Sequence, residues 1–463
     1  MTTDRLGREL LYRRYIKDLP VEQKNYIGIE LEFPIVNLAH EAVDINFVRT
    51  LMLELCDNFG FEVIKRDSDG LPIEIIKKAT GDVIVFEVSY NNLEFALGKV
   101  SNLWEAHQKI TNYLDIVQDF LALKNHRLTG LGVNPDWQIN DNQPVKTSRY
   151  QMLTDYLESY QAYDEIDSNF FHHYPRYGAF ISGSQVQLDV TKDNLLDVLN
   201  IFNQIEPAKA WLFGNSYFWH KDWQTTVARD IFWENSMHGI FPNNAGLFPC
   251  TFENIDDYLD YLEESVIFQV NRNEKNYYFP PIKVNDYFNH DEIVAVDLLG
   301  KSSLIIPDIA DIAGHRSYNF QDLTTRGTVE FRSVCEQPMS DILTVAAFHV
   351  GLFEVLDAVG ELLKTAAFIE KYGASLLQAR RYFARIDLSD EATEEILEFT
   401  KTLLFLAEKG LVKRRKGEEI FLKPLFRRLK TRKNPALTAL DTLKSGVTMN
   451  DIVVNYGRID HEF

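Results

Sequence analysis

The 463-residue sequence contains few cysteines and no long apolar run. Its cysteines, Cys56, Cys250 and Cys335, are far apart and form no CxxC pair, which argues against a disulfide framework and against zinc held by cysteine. We expect buried, reduced thiols in a cytoplasmic protein. No run of about 18 uncharged apolar residues occurs, and the first residues are charged. We therefore expect neither a membrane partner nor a signal peptide.

Positive charge is also scarce, since the formal net charge is −20. This balance disfavours a nucleic-acid partner, because a phosphate backbone requires a basic surface. The local exception is the basic segment 413–433. Such a segment usually forms a solvated face or docks on an acidic part of the same protein, and a patch that binds RNA or phosphate is the alternative.

The glycine motifs that commonly bind nucleotides are missing. The sequence contains no GxxxxGK[ST], and no GxGxxG follows a predicted strand. If the protein binds ATP, metal ions and a sheet must hold the nucleotide in place of a glycine-rich loop.

The order of the predicted elements indicates an α+β protein built around an antiparallel sheet. Strands are predicted at 26–36, 72–78, 82–90, 93–97, 178–190 and 327–334, and helices at 5–18, 101–124, 146–163 and 193–213. We expect a long loop with short helical pieces at 214–250 and a largely helical C-terminal third. The domain prediction is a single catalytic domain over 1–463, with a sheet-containing core at 1–338 and a helical subdomain at 339–463.

The first predicted strand carries two carboxylates on one face. With a period of two, its apolar residues point one way, whereas Gly28, Glu30 and Glu32 point the other way. Neighbouring carboxylates repel each other unless water or a cation separates them. This face is therefore a poor candidate for ordinary core.

Three other strand regions carry matching polar residues. Glu87 and Glu94 flank an Asn-Asn turn or bulge, Gln185 shares a face with Gln187 and Asp189, and Glu330 shares a face with Arg332. Each strand alone is explained by a half-exposed sheet. Together, oxygen ligands without thiols suit Mg²⁺ or Mn²⁺, and an arginine beside them suits phosphoryl transfer.

Four short motifs resemble the glutamate–cysteine ligases, a family of glutamine-synthetase-like carboxylate–amine ligases. They are IGIELEF at 27–33, FEVSYNNLEF at 86–95, ISGSQVQLD at 181–189 and GTVEFRS at 327–333. The resemblance extends over roughly residues 25–340 and implies an antiparallel sheet curved into a half-barrel or funnel, flanked by helices. In that family the concave face holds magnesium ions, ATP and glutamate.

The resemblance also implies roles for individual residues. It assigns metal binding to Glu30, Glu32, Glu87, Glu94, Gln185 and Glu330, and contact with the transferred phosphoryl group to Arg332. Arg229, in TTVARDIFWENS at 225–236, falls where the family binds the substrate glutamate, although an ordinary surface arginine is as consistent with the sequence. Asn215 and Trp233 belong to the same substrate region, and a core tryptophan is the simpler explanation of Trp233.

The implied reaction is ATP-dependent formation of a γ-glutamyl amide through γ-glutamyl phosphate, with cysteine as the first choice of amine. One alternative is a γ-glutamyl ligase of the same fold that uses another amino acid or amine. The others are a non-catalytic nucleotide- or metal-binding regulator and a two-carboxylate hydrolase that uses Glu87 and Glu94. His172, His173, His238 and His315 are predicted to be structural. The sequence does not indicate the oligomeric state, the number of metal ions or feedback regulation.

Overall fold

A computed structural model describes residues 5–164 and 169–461. Its strands are β1 Ile27–Asn37, β2 Glu62–Arg66, β3 Pro72–Lys77, β4 Asp82–Phe86, β5 Asn92–Val100, β6 His126–Leu128, β7 Ser184–Asp189, β8 Ala245–Gly246, β9 Val266–Arg272, β10 Lys275–Lys283, β11 Ile293–Asp297, β12 Ser302–Ile305, β13 Tyr318–Asn319, β14 Gln321–Leu323 and β15 Thr328–Phe331. The large sheet has the order β14-β15-β7-β1-β5-β4-β3-β2, and β6 pairs with the end of β1. The strands of this sheet pair antiparallel and the sheet does not close into a barrel, which confirms the predicted fold class.

Helices cover the sheet and most of the C-terminal part. They are α1 Leu6–Leu11, α2 Ile45–Val48, α3 Leu51–Phe59, α4 Leu103–Ala122, α5 Ser148–Glu158, α6 Gln161–Asp164, α7 Leu195–Gln204, α8 Glu206–Phe213, α9 Ala228–Glu234, α10 Ile255–Glu263, α11 Val284–Tyr287, α12 Thr344–Phe353, α13 Leu356–Thr365, α14 Ala367–Tyr372, α15 Leu376–Phe383, α16 Asp390–Arg414, α17 Lys423–Thr431, α18 Pro435–Lys444 and α19 Met449–Tyr456. A π-helical turn, Tyr12–Ile16, extends α1, and 3₁₀ turns lie at Tyr177–Ala179, Pro242–Asn244, Ile309–Gly314, Met339–Asp341, Gly373–Ser375 and Glu418–Leu422.

Strand β1 lies between β5 and β7 and divides its two faces by polarity. Ile27, Leu31 and Phe33 belong to the main hydrophobic core, whereas Glu30 and Glu32 lie on the other face. The helices α3, α4, α7 and α12 pack against β3, β5, β15 and β7, respectively. The helices therefore cover the apolar side of the sheet and leave its acidic side to form a cavity wall.

The predicted strand at 82–90 is too long at its C-terminal end. Strand β4 ends at Phe86, and the chain then turns with Val88 at a φ of +59°. The turn is closed by a bond from the Ser89 N–H to the Glu87 carbonyl at 2.6 Å. The sequence prediction placed the turn at the asparagines, but the positive φ is at a valine, a residue type that rarely adopts it. Glu87 thus lies in the turn beyond the strand.

Two further regions depart from the predictions. The predicted helix 193–213 is broken at Ile205, where α7 ends and α8 begins with Pro207 in its first turn. A second antiparallel sheet, with the order β12-β11-β10-β9, was not predicted. It lies within residues 266–305, where no element was predicted.

The remaining expectations concern surface and thiol chemistry. Several residues of the basic segment 413–433 pair with acids of the same chain, such as Arg414 with Glu354 and Lys433 with Asp441. The expectation of buried thiols is wrong for Cys250, which is exposed. Across the described ranges no single helix is long and apolar enough to span a membrane, although the bent pair Met339–Phe353 and Leu356–Thr365 passes by length and composition together.

Candidate functional site

The acidic side of the large sheet opens into a cavity, here called the sheet cavity. Among the predicted site residues, those that line it are Glu32, Glu87, Gln185, Arg229, Trp233 and Arg332. The wall also includes Asp230, Tyr318, Phe320 and Ser333, which the sequence did not single out. Strands β1 and β7, the turn after β4, helix α9 and the β13–β15 region thus meet around one space.

Glu32 is held firmly on the floor of the sheet cavity. It accepts hydrogen bonds from the Gly183 N–H at 2.7 Å and from Gln185 Nε2 at 2.9 Å. Burial raises the pKa of Glu32 to about 7; the negative charge of Glu87 adds to this effect and Arg229 opposes it. Because Gln185 donates to Glu32, these two predicted metal ligands already contact each other in the described structure.

Glu30 faces the same side of the sheet, next to β7. It accepts a hydrogen bond from Gln187 Nε2 at 2.7 Å. Burial and then the neighbouring Glu330 raise the pKa of Glu30 to about 8, against the effect of Arg326 and Arg332. The repulsion expected from the sequence is therefore present, but it runs mainly across strands instead of along β1.

Glu94 and Glu87 form a second pair of carboxylates. Glu94 lies opposite Glu32 in the β1–β5 register, and Glu87 accepts a hydrogen bond from the Tyr150 hydroxyl at 2.7 Å. Burial and then Glu87 raise the pKa of Glu94 well above its ordinary value. Two buried carboxylates in contact retain a proton unless a cation is supplied.

Arg332 lies where the sheet cavity meets a second space, here called the arginine cavity. Both spaces are lined by Arg332 and Tyr318. Arg332 donates to Glu330 at 2.9 Å, and its Nε lies 3.8 Å from an Asp322 oxygen. That Nε is buried and has no hydrogen-bond partner in the described chain. Burial works against the charged form, but Glu330 and then Asp322 raise the net pKa of Arg332 above its ordinary value.

The arginine cavity is rich in positive charge and hydroxyl groups. It is lined by Glu330 and, besides Arg332, by Arg14, Arg316, Arg326, Ser317, Thr324 and Thr325. Arg326 donates to Gln187 at 2.7 Å, and Gln187 in turn donates to Glu30, so hydrogen bonds connect this cavity to Glu30. Arginine and hydroxyl donors of this kind suit an anion that carries several phosphate oxygens.

Helix α9 supplies the opposite wall of the sheet cavity. The Arg229 side chain is buried and donates to the Val334 carbonyl at 2.7 Å, while its Nε has no partner in the described residues. Its outer nitrogen packs on Gly183, where a Cβ would lie 2.4 Å away. Trp233 stacks on Tyr318 at 5.1 Å between ring centroids. Arg229 and Trp233 are thus wall residues; Arg229 is buried and Trp233 is half-buried.

The structure gives Asn215 a different place from the one predicted. Its amide donates to the carbonyls of Gly130 and Glu336 at 2.7 and 2.6 Å, and it does not line the sheet cavity. Asn215 therefore braces the backbone behind Glu336, whose carboxylate accepts the Glu32 N–H at 3.1 Å. The position supports the site from behind and offers no direct contact with a ligand in the cavity.

The carboxylates fit a divalent cation in their chemistry without forming a preassembled cage. Their oxygens are hard ligands, and a cation would remove the repulsion that raises the pKa of Glu30, Glu32 and Glu94. In the described part of the chain, no three acidic, histidine or cysteine side chains converge into a cluster that could hold a metal. Mg²⁺ typically takes one or two protein carboxylates and completes its shell with phosphate and water, so paired acids satisfy its requirement.

Sequence reasoning missed several residues that shape the site. Tyr150, Gln187, Asp322 and Arg326 bond to or neighbour the predicted acids, and tertiary folding alone brings most of them there. Gln187 was visible, since it shares a strand face with Gln185. Of the histidines, His238 is buried without lining the sheet cavity, and burial lowers its pKa to about 3.

Comparison with solved structures gives distant similarities. A bifunctional glutathione synthetase from Pasteurella multocida is 11% identical with a TM-score of 0.49, over 98% of this chain and 53% of the solved one. A glutamate–cysteine ligase from Francisella tularensis, solved with AMP, is 12% identical with a TM-score of 0.39, over 94% and 98%. The chain thus spans about half the length of the first of these proteins. No curated protein sequence matches it.

Comparison with protein families gives a match that covers most of the chain. The sequence model of glutamate-cysteine ligase family 2 matches residues 26–452, a range that contains all the predicted site residues. The resemblance carried by the four short motifs is therefore confirmed. The chain belongs to glutamate-cysteine ligase family 2.

Proposed function

We propose that the protein joins the γ-carboxylate of L-glutamate to the amine of L-cysteine, using ATP, and releases γ-glutamylcysteine, ADP and phosphate. The observation that carries this proposal is Arg332 at the boundary of two cavities, with an unbonded Nε and a row of carboxylates beside it. One cavity suits an amino-acid substrate, and the other suits a polyphosphate. Arg332 is placed to meet the group that passes between them.

The two arginines of the sheet cavity have separate roles. Arg229 binds a carboxylate of glutamate, because its buried guanidinium retains an unbonded Nε and faces the cavity. An oxygen of the γ-carboxylate attacks the terminal phosphorus of ATP, ADP leaves, and Arg332 neutralises charge on the transferred group. The cysteine amine then attacks the acyl carbon, loses a proton, and displaces phosphate.

The predicted metal ligands belong to the nucleotide half of this proposal. Glu30, Glu32, Glu87, Glu94 and Glu330 would hold Mg²⁺ or Mn²⁺, with Gln185 orienting Glu32. When bound, the metal supplies positive charge that lets the carboxylate and the triphosphate approach each other. Trp233 and Tyr318 form an aromatic wall that excludes water from the acyl group.

The proposal also includes a cytoplasmic location and a single catalytic domain. The helical C-terminal part supports the catalytic wall directly, since Arg380 of α15 bonds Asp230 of α9. The amine is the least constrained part of the proposal, because no cavity residue is specific for a thiol. Cysteine is chosen from the family and is tested against other amines.

The test separates carboxylate activation from amine choice. Protein, ATP, Mg²⁺ and glutamate are incubated with hydroxylamine, which traps an activated carboxyl group as the γ-hydroxamate. In parallel, cysteine and a panel of other amino acids and amines are supplied, and phosphate release and product mass are measured. We expect hydroxamate with glutamate, and the fastest phosphate release with cysteine.

Controls define what would overturn the proposal. Arg332→Lys keeps the charge but loses the planar guanidinium, and we expect both hydroxamate and amide formation to fall by about 10³-fold. Folding is checked by circular dichroism. Hydroxamate without cysteine-dependent turnover would reassign the amine, and the absence of both from a folded protein would reject the ligase reaction.

A further inference from the structure

A third cavity lies at the C-terminal end of α9 and shares no lining residue with the sheet cavity. It has a volume of about 460 Å³, within the range of small-molecule sites. Leu247, Phe248 and Leu376 supply apolar walls, and Glu234 and Arg381 supply opposite charges. It is called the helix-end cavity below.

The Glu234–Arg381 pair is incompletely bonded. Glu234 Oε2 accepts a hydrogen bond from Arg381 at 2.6 Å, and the Glu234 side chain is 10% exposed. Glu234 Oε1 is buried and has no hydrogen-bond partner among the described residues, where Arg381 forms no hydrogen bond apart from the one to Glu234. A buried carboxylate oxygen without a donor is costly, so this oxygen is a natural acceptor for a cation from a ligand.

A glycine lies next to that oxygen, so no side chain from this position covers it. Gly246 has a φ of +87°, and a Cβ at this position would lie 2.9 Å from Glu234 Oε1. Burial, together with the charge of Asp230, also raises the pKa of Glu234, and a bound ammonium group would relieve this effect. An acceptor, a guanidinium donor edge and an apolar wall thus lie together in one space.

We propose that the helix-end cavity binds a free α-amino acid with an apolar side chain. Glu234 Oε1 accepts from the ligand ammonium group, the remaining N–H groups of Arg381 donate to its carboxylate, and the side chain packs on Leu247, Phe248 and Leu376. The zwitterion restores the charge balance of the pair while completing its hydrogen bonds.

The position of the cavity links it to catalysis. Helix α9 carries Arg229, Asp230 and Trp233 into the sheet cavity and Glu234 into the helix-end cavity. The adjacent α15 carries Arg380, bonded to Asp230 at 2.7 and 3.0 Å, next to Arg381. A ligand that ties Glu234 to Arg381 therefore acts on both helices. Any change that the bound ligand causes in the KM for glutamate rests on the proposed function, whereas the binding of the ligand does not.

L-Leucine is the probe, and calorimetry on the full chain without ATP or glutamate is the measurement. We expect saturable binding that weakens by about tenfold or more in Glu234→Gln and in Arg381→Met, as loss of a charged hydrogen bond predicts. 4-Methylpentanoate lacks the ammonium group and leucinamide lacks the carboxylate. Both should bind at least about tenfold more weakly than leucine.

Two controls place the probe. Asp387→Asn breaks an exposed arginine pair outside the cavity, and Arg229→Lys alters the sheet cavity; leucine affinity should stay unchanged in both. No saturable binding by wild-type protein, or equal binding by Glu234→Gln and Arg381→Met, would overturn the proposal. Loss of binding in Arg229→Lys alone would place leucine in the sheet cavity and would equally reject it. Failure of the ligase reaction leaves the binding result intact.

Discussion

Two groups of buried or half-buried charged side chains lie at or near the sheet cavity, and they differ in balance. The first, here called the balanced cluster, consists of Glu206, Asp230, Lys209 and Arg380, which have side-chain exposures between 0 and 6%. Arg380 bonds Glu206 at 2.5 Å and Asp230 at 2.7 Å, and Lys209 bonds Glu206 at 2.5 Å. Two acids meet two bases, and the charges are paired within the protein.

The second group, here called the acidic row, consists of Glu30, Glu32, Glu87, Glu94 and Glu330. Among the described residues, Glu330 forms an ion pair with Arg332, whereas the other four carboxylates form none. Burial and mutual repulsion raise the pKa of Glu30 to about 8 and that of Glu32 to about 7. This difference indicates that burial of charge alone does not identify a ligand-binding site. A buried group that lacks its counter-charge is the one that points to a ligand.

We expect the greatest loss of stability when a substitution breaks the balanced cluster. Arg380→Met leaves the buried Asp230 carboxylate without its ion-pair partner and leaves Glu206 with Lys209 alone, so we expect the free energy of unfolding to fall by about 3–5 kcal/mol. Denaturant unfolding at pH 7 measures this. The double variant Arg380→Met/Asp230→Asn removes one stranded charge and should be less unstable than the sum of the single changes. Additive losses would mean that Arg380 and Asp230 do not form a coupled unit.

In the acidic row we expect the opposite result: a substitution should reduce activity and leave stability nearly unchanged. Glu30→Gln keeps the hydrogen-bond acceptor for Gln187 and resembles the protonated carboxyl group that burial and repulsion favour, so stability should stay within about 1 kcal/mol of wild type. Activity with ATP and Mg²⁺ should fall by about 10²-fold or more, because the proposed metal site would lose a ligand. Unfolding curves and phosphate release measure the two quantities.

The control for this variant is another strand glutamate. Glu62→Gln lies on the edge strand β2, where Glu62 pairs with Lys78 at the surface, and it should leave activity unchanged. Wild-type turnover by Glu30→Gln would remove Glu30 from the proposed metal site. A large loss of stability would instead make the acidic row structural, like the balanced cluster.

The two groups also differ in how far the sequence revealed them. The acidic row was predictable because a period of two places Glu30 and Glu32 on one strand face, and the antiparallel sheet then brings Gln185 and Glu94 opposite them. The fold class followed from the same patterns. The position of Glu87 was less predictable, because the tertiary structure imposes a positive φ on Val88.

The balanced cluster was beyond sequence reasoning. Arg380 lies 150 positions from Asp230 and 174 from Glu206, and no local pattern connects α15 to α8 and α9. The second sheet was missed in the same way: β10 contains two prolines, which weaken a strand assignment. The roles of the individual site residues remain predictions.

A smaller effect tests whether the balanced cluster tolerates one more positive charge. His349 packs beside Phe202 and Phe331, and burial, together with Lys209, lowers its pKa well below the ordinary value. The folded state keeps His349 neutral, whereas the unfolded state takes up a proton below about pH 6.5. The contribution of His349 to the free energy of unfolding is therefore fully present above pH 6.5 and is lost as the pH falls below that value.

His349→Gln removes that dependence. Between pH 7 and pH 5.5 the variant should lose about 1 kcal/mol less unfolding free energy than wild type. Denaturant unfolding at the two pH values gives the difference, and comparison within each protein cancels the cost of the substitution itself. Equal losses would show that His349 is protonated in the folded protein and that the cluster accepts a further cation.

The smallest change in stability is expected for an exposed arginine–aspartate pair, which separates the contribution of burial from that of contact geometry. Arg385 grips Asp387 through two nitrogens at 2.8 and 2.7 Å, nearly the arrangement by which Arg380 grips Asp230 at 2.7 and 3.0 Å. The Arg385 and Asp387 side chains are 48% and 53% exposed, so water solvates either partner when the other is removed. Asp387→Asn should therefore leave the denaturation midpoint unchanged, whereas Asp230→Asn should lower it clearly. Equal shifts in the two variants would mean that the bidentate contact itself, and not the absence of water around it, gives the balanced cluster its strength.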